Sequence, residues 1–339
     1  MARKTLNNLH DSLPPLASKT FYPVRIGEIF RSKYQVLGKL GYGSVSTAWL
    51  CRDLVDHEYV ALKVFVAKHR QAENEEKVYK HLRTIKTSHP GAKGIRSLRD
   101  QFQLPGQYDS HECLVDGQLL KPIIKYLLMA LDILHTEARV VYTNIQEGNV
   151  MLGIEDDAIF KSFEEEEWAE PSLRKIDGDR IIYATRQVDI PDNPSHAVLC
   201  GFGDAQFGEE TYIGEVMPDL YRAPEIVLGI PWNEKIDILS VGLMVTSAPA
   251  RIARMIAVLG LPPKDLLKRG QFSEVFFDVE GNFTPDIKIQ QTSLENEEEN
   301  LEGDEKTPFL QFLKKMIQWV PEERKSAKEL MKDPWLAFP

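Results

Sequence analysis

A glycine turn followed by a lysine in an apolar strand is the first pattern in this sequence that could do chemistry. In "KLGYGSVSTAWL", Gly41 and Gly43 stand in a predicted strand–turn–strand whose backbone N–H groups could cover phosphates, although a plain hairpin uses glycine equally well. Lys63 follows in "VALKV", where an unpaired ammonium would be costly, so it needs a partner. The next helix offers Glu75 and Glu76, and we favour Glu75. Together these residues indicate phosphate binding; a purely structural ion pair is the alternative.

Three later residues are of types that a buried structural network needs. They are Glu225 in "LYRAPEIVLG", Asp237 in "KIDILSVGLM" and Arg324 in "WVPEERKSAKEL". The planar fork of Arg324 is suited to a buried bidentate pair with the Glu225 carboxylate. We therefore expect these segments to meet in the folded chain.

This ordered set resembles a eukaryotic protein kinase domain over about residues 20–338. The loop "VVYTNIQEGNVML" (140–152) has the shape of the catalytic loop H-R-D-x-x-x-x-N. "FYPVRIGEIFRSKYQVLGKLGYGSVSTAWLCRDL", "SLRKIDGDRIIY" and "PDLYRAPEIVLGIPW" are similar to the SR-protein kinases (SRPK), particularly their short fungal members, where the third loop glycine is a serine, here Ser46.

The resemblance implies an α+β, bilobal, kinase-like fold and an ATP- and Mg²⁺-dependent serine/threonine kinase ancestry. It also implies substrates that are basic, Arg-Ser-rich protein segments, and a cytoplasmic or nuclear location. By the same resemblance, the nucleotide-binding residues are Gly41, Gly43, Ser46, Lys63 and Glu75. Asn149 is the retained magnesium ligand of the loop.

The catalytic loop departs from the family at the positions that do the chemistry. Asn144 replaces the aspartate that accepts the substrate proton, and Tyr142 replaces the histidine. A carboxamide can orient a hydroxyl but is a very poor base, and losing a general base costs about 10²–10⁴-fold in rate. Gln146 replaces the lysine that would face the transferring phosphoryl group.

A second, independent departure lies in "AVLCGFGDAQF", which aligns with the D-F-G motif. Gly201 replaces the aspartate that is the main magnesium ligand, and glycine offers no side-chain oxygen. Asp204, three residues later, is a weak candidate to take over metal binding. Because the two losses are in different places, their penalties should largely compound.

Two segments are predicted to be shorter than in the family. After "HECLV" the hinge and the short helix that follows it in the family are nearly absent, and "TSAPARIARMIAVLG" shortens the usual connection between two helices of the large lobe. Since loops tolerate length changes better than cores do, these cuts leave two alternatives open. One is a decayed kinase, and the other is a misassembled gene.

Composition and patterning set the remaining expectations. A net charge of −10 disfavours direct nucleic-acid binding and is compatible with a basic protein partner. Three scattered cysteines predict a reduced compartment without a zinc site, and the apolar window around Arg251 and Arg254 is expected to be buried helix plus loop, not a membrane span.

We divide the chain into a flexible terminus (1–20), an N-lobe (21–117) and a C-lobe (118–339). Strands are predicted over 34–66 and in a pair around "IRSLRDQFQLPGQYDSHECLV", and a long helix near Leu119. The acidic runs "FEEEEWAE" (163–170) and "ENEEENLEGDE" (295–305) are expected to be solvated loops.

The leading hypothesis is a pseudokinase that binds Arg-Ser-type segments. The alternatives are an active SRPK-type kinase and the non-functional product of a decayed or misassembled gene.

Overall fold

The structure of the chain, a computed structural model, describes residues 22–67, 69–96, 98–102, 120–153, 157–178, 180–188, 195–207, 211–246, 252–297 and 306–336. It has two compact units. The first takes residues up to Glu73, from Leu98 to Cys113 and from Leu152 to Ser195, and the second takes the rest. The chain is strand-rich at its N-terminal end and helical towards its C-terminal end, which is the predicted α+β, kinase-like class.

The strands and helices of the described residues have the following bounds. The strands are β1 (Ile29–Phe30), β2 (Tyr34–Gly43), β3 (Ser46–Asp53), β4 (Tyr59–Phe65), β5 (Val140–Val141), β6 (Val150–Leu152), β7 (Arg174–Asp177), β8 (Arg180–Tyr183), β9 (Ala197–Leu199) and β10 (Gln206–Phe207). The helices are α1 (Arg70–Thr84), α2 (Leu120–Ile133), α3 (Ala158–Ala169), α4 (Pro224–Val227), α5 (Lys235–Thr246), α6 (Ile252–Leu259), α7 (Lys264–Leu267), α8 (Leu294–Glu297), α9 (Lys306–Leu313) and α10 (Ala327–Leu330).

The first unit is built on an antiparallel sheet in the order β1-β2-β3-β4. Strands β2, β3 and β4 confirm the antiparallel strands predicted over 34–66, and β1 was not predicted. Gly43 pairs with Ser46 at the tip of the β2–β3 hairpin, so the glycine-turn residues lie at that tip. One sheet face carries a core of aromatic and aliphatic side chains: Val24, Phe30, Tyr34, Val36, Trp49, Cys51, Val64 and Tyr183.

The other sheet face is covered by α3, which corrects one prediction. The run "FEEEEWAE" is not a solvated loop, because residues 163–169 belong to this helix and Glu170 follows its end. Phe163 is buried against Leu37 and Leu50. A side chain at Gly38 of β2 would place its Cβ 2.6 Å from Phe163 Cε1, so glycine is required for the helix to approach this closely.

The second unit is helical. The helix predicted near Leu119 is α2, and its side chains Ile124, Leu128 and Leu131 are fully buried. The apolar window around Arg254 forms α5 and α6, with residues 247–251 outside the described residues, so the prediction of buried helix is correct there. Among the described residues, no helix is long and apolar enough to cross a membrane.

The predicted strand pair around 95–115 is wrong in its described part. Ile95 makes only an isolated bridge to Leu199, and residues 98–102 form no strand. The proposed turn at Pro105 and Gly106, the shortened hinge at 113–118 and Cys113 lie outside the described residues, as do residues 1–20. Of the second acidic run, 295–297 belong to α8 and 298–305 are outside the described residues.

Candidate active site

Asp237 of α5 anchors the loop that carries the candidate catalytic residues. Its carboxylate is fully buried and accepts hydrogen bonds from the backbone N–H groups of Tyr142 (2.8 Å) and Thr143 (2.7 Å). His135 Nε2 lies 2.9 Å from the same carboxylate. Because several donors bond to this buried carboxylate, its position is fixed. The loop that follows β5 therefore starts in a fixed direction. Asp237 thus holds the start of this loop through two backbone N–H groups.

Tyr142, predicted to stand at the histidine position, contacts the residues on both sides of Gly201. Its hydroxyl donates a hydrogen bond to the Cys200 carbonyl, and its ring meets Phe202 edge-on at 5.1 Å. Phe202 also contacts Tyr79 of α1 at 5.3 Å. Complete burial raises the pKa of Tyr142 well above its ordinary value, so this hydroxyl stays neutral and acts as a donor rather than as a base.

Asn144, at the position of the catalytic base, is engaged at both ends of its side chain. Its Nδ2 donates to Asp204 Oδ2 at 3.2 Å, and its Oδ1 accepts from Gln146 Nε2 at 2.7 Å. Asn149 Nδ2 donates to the Asn144 carbonyl at 2.9 Å. These residues therefore form one amide network around the place where a kinase has a carboxylate and a lysine. None of the three amide side chains can take a proton near pH 7.

Gly201, predicted to replace the D-F-G aspartate, is in a left-handed conformation, with φ +81°. An added Cβ there would lie 2.7 Å from Asn149 Oδ1, so the Asn149 amide fills the space beside the glycine. Asp204 is the nearest carboxylate in sequence, but it already accepts from Asn144. The described residues contain no group of three or more His, Cys, Asp or Glu that could hold a metal. Gly201 offers no side-chain oxygen, so a Mg²⁺ at this place would depend on Asn149, Asp204 and the phosphates of a bound nucleotide.

The backbone that follows Gly201 is held by side chains that sequence reasoning missed. Asn74 of α1 donates from Nδ2 to the carbonyls of Gly203 (3.1 Å) and Ala205 (2.9 Å). Thr143 Oγ1 donates to the Asp204 carbonyl at 3.0 Å. Asn74 directly precedes Glu75, and this position next to a predicted site residue was the signal in the sequence that could have identified it. Its role depends on carbonyls about 130 residues away in the sequence, which no local pattern reveals.

The predicted nucleotide-binding residues lie on three strands and one helix. Gly41 and Gly43 end β2, Ser46 begins β3, and Lys63 lies in β4 with Nζ 4.5 Å from the centre of the Phe65 ring. Glu75 is a buried residue of α1. Lys63 belongs to the first unit and Glu75 to the second, and their pairing stays a prediction.

The bidentate pair predicted between Arg324 and Glu225 is present. Arg324 Nη1 and Nη2 lie 2.6 Å and 2.8 Å from the two Glu225 carboxylate oxygens, and both side chains are buried. Arg324 also donates from Nε to the Gln318 carbonyl and from Nη1 to the Lys235 carbonyl. The guanidinium therefore joins three segments of the second unit.

Replacing Asn144 by aspartate tests the amide network. We expect Asn144→Asp to lower the free energy of unfolding by about 1 kcal/mol at pH 7, because a hydrogen bond is lost and two carboxylates face each other. This repulsion raises the pKa of the introduced carboxyl in the folded state, so the lost stability returns as the pH falls below that raised pKa. Urea unfolding at pH 7 and pH 4 measures the difference. Asn144→Ala, which adds no charge, should differ from the wild type by a similar amount at both pH values; an Asn144→Asp deficit that ignores pH would contradict the network.

Comparison of the sequence with known proteins identifies the family of this chain. The chain is 38% identical to a serine/threonine protein kinase of Aspergillus fumigatus, over 96% of this chain and 90% of that protein. The aligned region spans 367 positions against 339 residues here, so the relative contains residues that this chain lacks. No family model matches the chain.

More distant relatives carry the SRPK name. The serine/threonine-protein kinase SRPK of Physarum polycephalum is 25% identical over 94% of this chain and 89% of its own length. SRSF protein kinase 3 of Mus musculus is 32% identical over 50% of this chain and 34% of its own length. The chain therefore belongs to the serine/threonine protein kinases, and it is similar to their SRPK members.

Proposed function

We propose that the protein is an SRPK-like pseudokinase that holds basic, Arg-Ser-type protein segments without phosphorylating them. The observation that carries the proposal is the state of Asn144. It stands at the base position, cannot accept a proton, and has both side-chain ends committed to Asp204 and Gln146. Because its side chain is a carboxamide, Asn144 could not deprotonate a hydroxyl brought to this loop.

The loss of the metal ligand is a separate argument for the same conclusion. Gly201 has no side-chain oxygen to offer, and the neighbouring Asn149 amide fills the space beside it. Residues that maintain the fold are kept, namely Glu225, Asp237 and Arg324. A preserved scaffold with altered chemistry is the pattern of a binding module.

The proposed partner follows from charge and from the family. Relatives at 32–34% identity are named SRSF protein kinase 3, and Arg-Ser segments are basic. This chain has a net charge of −10, so its surface attracts such segments without any need for chemistry. ATP binding is a separate property, and we propose that it is weak or absent; a thermal-shift titration with ATP, with and without magnesium, measures it.

Binding to an Arg-Ser peptide is the direct test of the proposed function. We expect a labelled Arg-Ser repeat peptide to bind at low salt and to weaken steeply with added NaCl, because the attraction is mainly between exposed charges. Fluorescence anisotropy at several salt concentrations measures this, with an Asp-Ser repeat peptide as the control that should not bind. Absence of binding at low salt would remove the proposal.

A working serine/threonine kinase is the alternative, favoured by the kinase name of the 38% relative and by the retained Lys63. Incubation with labelled ATP, Mg²⁺ or Mn²⁺ and the Arg-Ser peptide separates the two proposals. Phosphate incorporation that Lys63→Met abolishes would favour the enzyme. Transcript sequencing across "CLVDGQ" and "LMVTSA" tests the third possibility, a decayed or misassembled gene.

A further inference from the structure

Strand β7 is an edge strand whose outer side has no partner strand among the described residues. It pairs only with β8, in a register that sets Arg174 opposite Tyr183 and Ile176 opposite Ile181. Tyr183 belongs to the core of the first unit and Ile181 packs against that core, so the hairpin is attached through β8. All four residues of β7 are exposed, and Ile176 is 74% exposed. The outer edge of β7 is therefore open to another strand.

One hydrogen bond identifies the backbone groups that face this open edge. The Ala184 N–H donates to the Leu173 carbonyl at 2.7 Å, so the backbone groups of Leu173 point towards β8. In an antiparallel strand, the N–H and C=O groups of successive residues point to opposite edges. Those of Lys175 therefore also point towards β8, whereas those of Arg174 and Ile176 point outwards. The described residues supply no hydrogen-bond partner for these outward groups.

The order of residues in β7 is complementary to itself. If two copies of β7 pair antiparallel about a twofold axis through Ile176, Lys175 of each copy lies opposite Asp177 of the other. These opposite charges then form two close cross-strand pairs on one face of the sheet. On the other face the two Ile176 side chains lie opposite each other, and the outward backbone groups of Ile176 form the two hydrogen bonds at the axis.

Charge separates this register from the neighbouring one. A twofold axis through Lys175 would also satisfy the outward backbone groups, but it would place the two Lys175 ammonium groups opposite each other, which is destabilising. The register through Ile176 has no such repulsion. The net charge of −10 on each copy opposes association at long range, but salt screens that repulsion beyond about 8–10 Å at physiological ionic strength. The charges at the strand itself therefore decide the pairing.

We propose that β7 pairs with the β7 strand of a second copy of this chain, so that two hairpins form one antiparallel sheet in the order β8-β7-β7-β8. The occupant is a second copy because β7 in reversed direction supplies the matching charges and the matching isoleucine. Four residues from each copy bury well under about 1,000 Å², so the dimer is weak and reversible. The inference goes beyond the proposed function and does not depend on it.

Sedimentation equilibrium of the full chain, over roughly 10–500 μM protein, measures the association. Ile176→Lys should weaken the dimer at least about tenfold, because it sets two ammonium groups opposite each other at the axis. Lys175→Asp and Asp177→Lys should each weaken it roughly fivefold, since each turns both charge pairs into like-charge pairs. Combining the two changes in one chain should restore the wild-type affinity to within about twofold. An equimolar mixture of the two single variants should form a mixed dimer.

Matched controls make the same changes at exposed positions of the second unit. Lys288→Asp and Val279→Lys should leave the association like that of the wild type, apart from a small effect of net charge. A wild type that stays monomeric at the highest concentration would overturn the proposal. A dimer that Ile176→Lys leaves intact would assign the association to another surface. Loss of the dimer in both single charge variants without recovery in the double variant would overturn the register through Ile176.

Discussion

Replacing Arg324 by alanine should lower the free energy of unfolding by about 3–5 kcal/mol, because it leaves the Glu225 carboxylate buried without its counter-charge. The two side chains are almost completely inaccessible, and the guanidinium also satisfies the Gln318 and Lys235 carbonyls. Urea unfolding followed by circular dichroism measures the change.

A matched control for this prediction is the exposed pair between Arg269 and Glu322, which is also bidentate. Arg269→Ala should cost less than about 1 kcal/mol, because solvent screens an exposed pair. Equal effects of Arg324→Ala and Arg269→Ala would show that burial does not set the strength of the internal pair. Replacing both partners, Glu225→Leu with Arg324→Met, should be less harmful than Arg324→Ala, since no unpaired charge remains.

Phosphate transfer by the purified protein is expected to be at least about 10²–10⁴-fold slower than the roughly 1–100 s⁻¹ of protein kinases. The physical reason is the amide at Asn144, which cannot accept the hydroxyl proton, with a further loss from Gly201. Single-turnover assays with labelled ATP and an Arg-Ser peptide measure the rate.

The matched gain-of-function variant restores both acidic side chains. Asn144→Asp combined with Gly201→Asp returns a base and a metal ligand, and we expect a rate at least about 10²-fold above the wild type. Lys63→Met on that background should abolish the gain. The aspartate at 201 must adopt φ near +81° and displace the Asn149 amide, so a lower stability of this variant is expected alongside. A wild-type rate within the normal kinase range would contradict the pseudokinase proposal.

Much of the fold could be predicted because its signals are local. The alternation over 34–66 predicts the antiparallel strands β2, β3 and β4, and the periodicity after Leu119 predicts α2. The prediction for "FEEEEWAE" was wrong because its average composition is polar. Its buried positions, Phe163 and Glu167, lie four residues apart on one helix face, and burying Glu167 depends on Arg186, nineteen residues away.

The strand pair around 95–115 was wrong for a related reason. Apolar residues such as Ile95 and Leu98 were interpreted as strand positions, but strand formation needs a partner at hydrogen-bonding distance, and Ile95 has only the single bridge to Leu199. Periodicity indicates which face is apolar. It does not supply the second strand.

The sequence by itself determined which atoms are present at the chemical positions. The amide of Asn144 is a very poor base and the hydrogen of Gly201 cannot bind a metal, wherever these residues lie in the fold. The expected loss of phosphate transfer therefore follows from the sequence alone. Only the tertiary structure decided what these residues do instead. Asn144 bonds to Asp204, sixty residues away, Asn149 fills the space beside Gly201, and Trp168 is left outside when α3 packs on the sheet. Such contacts depend on distant segments meeting in space, and no local pattern encodes that meeting.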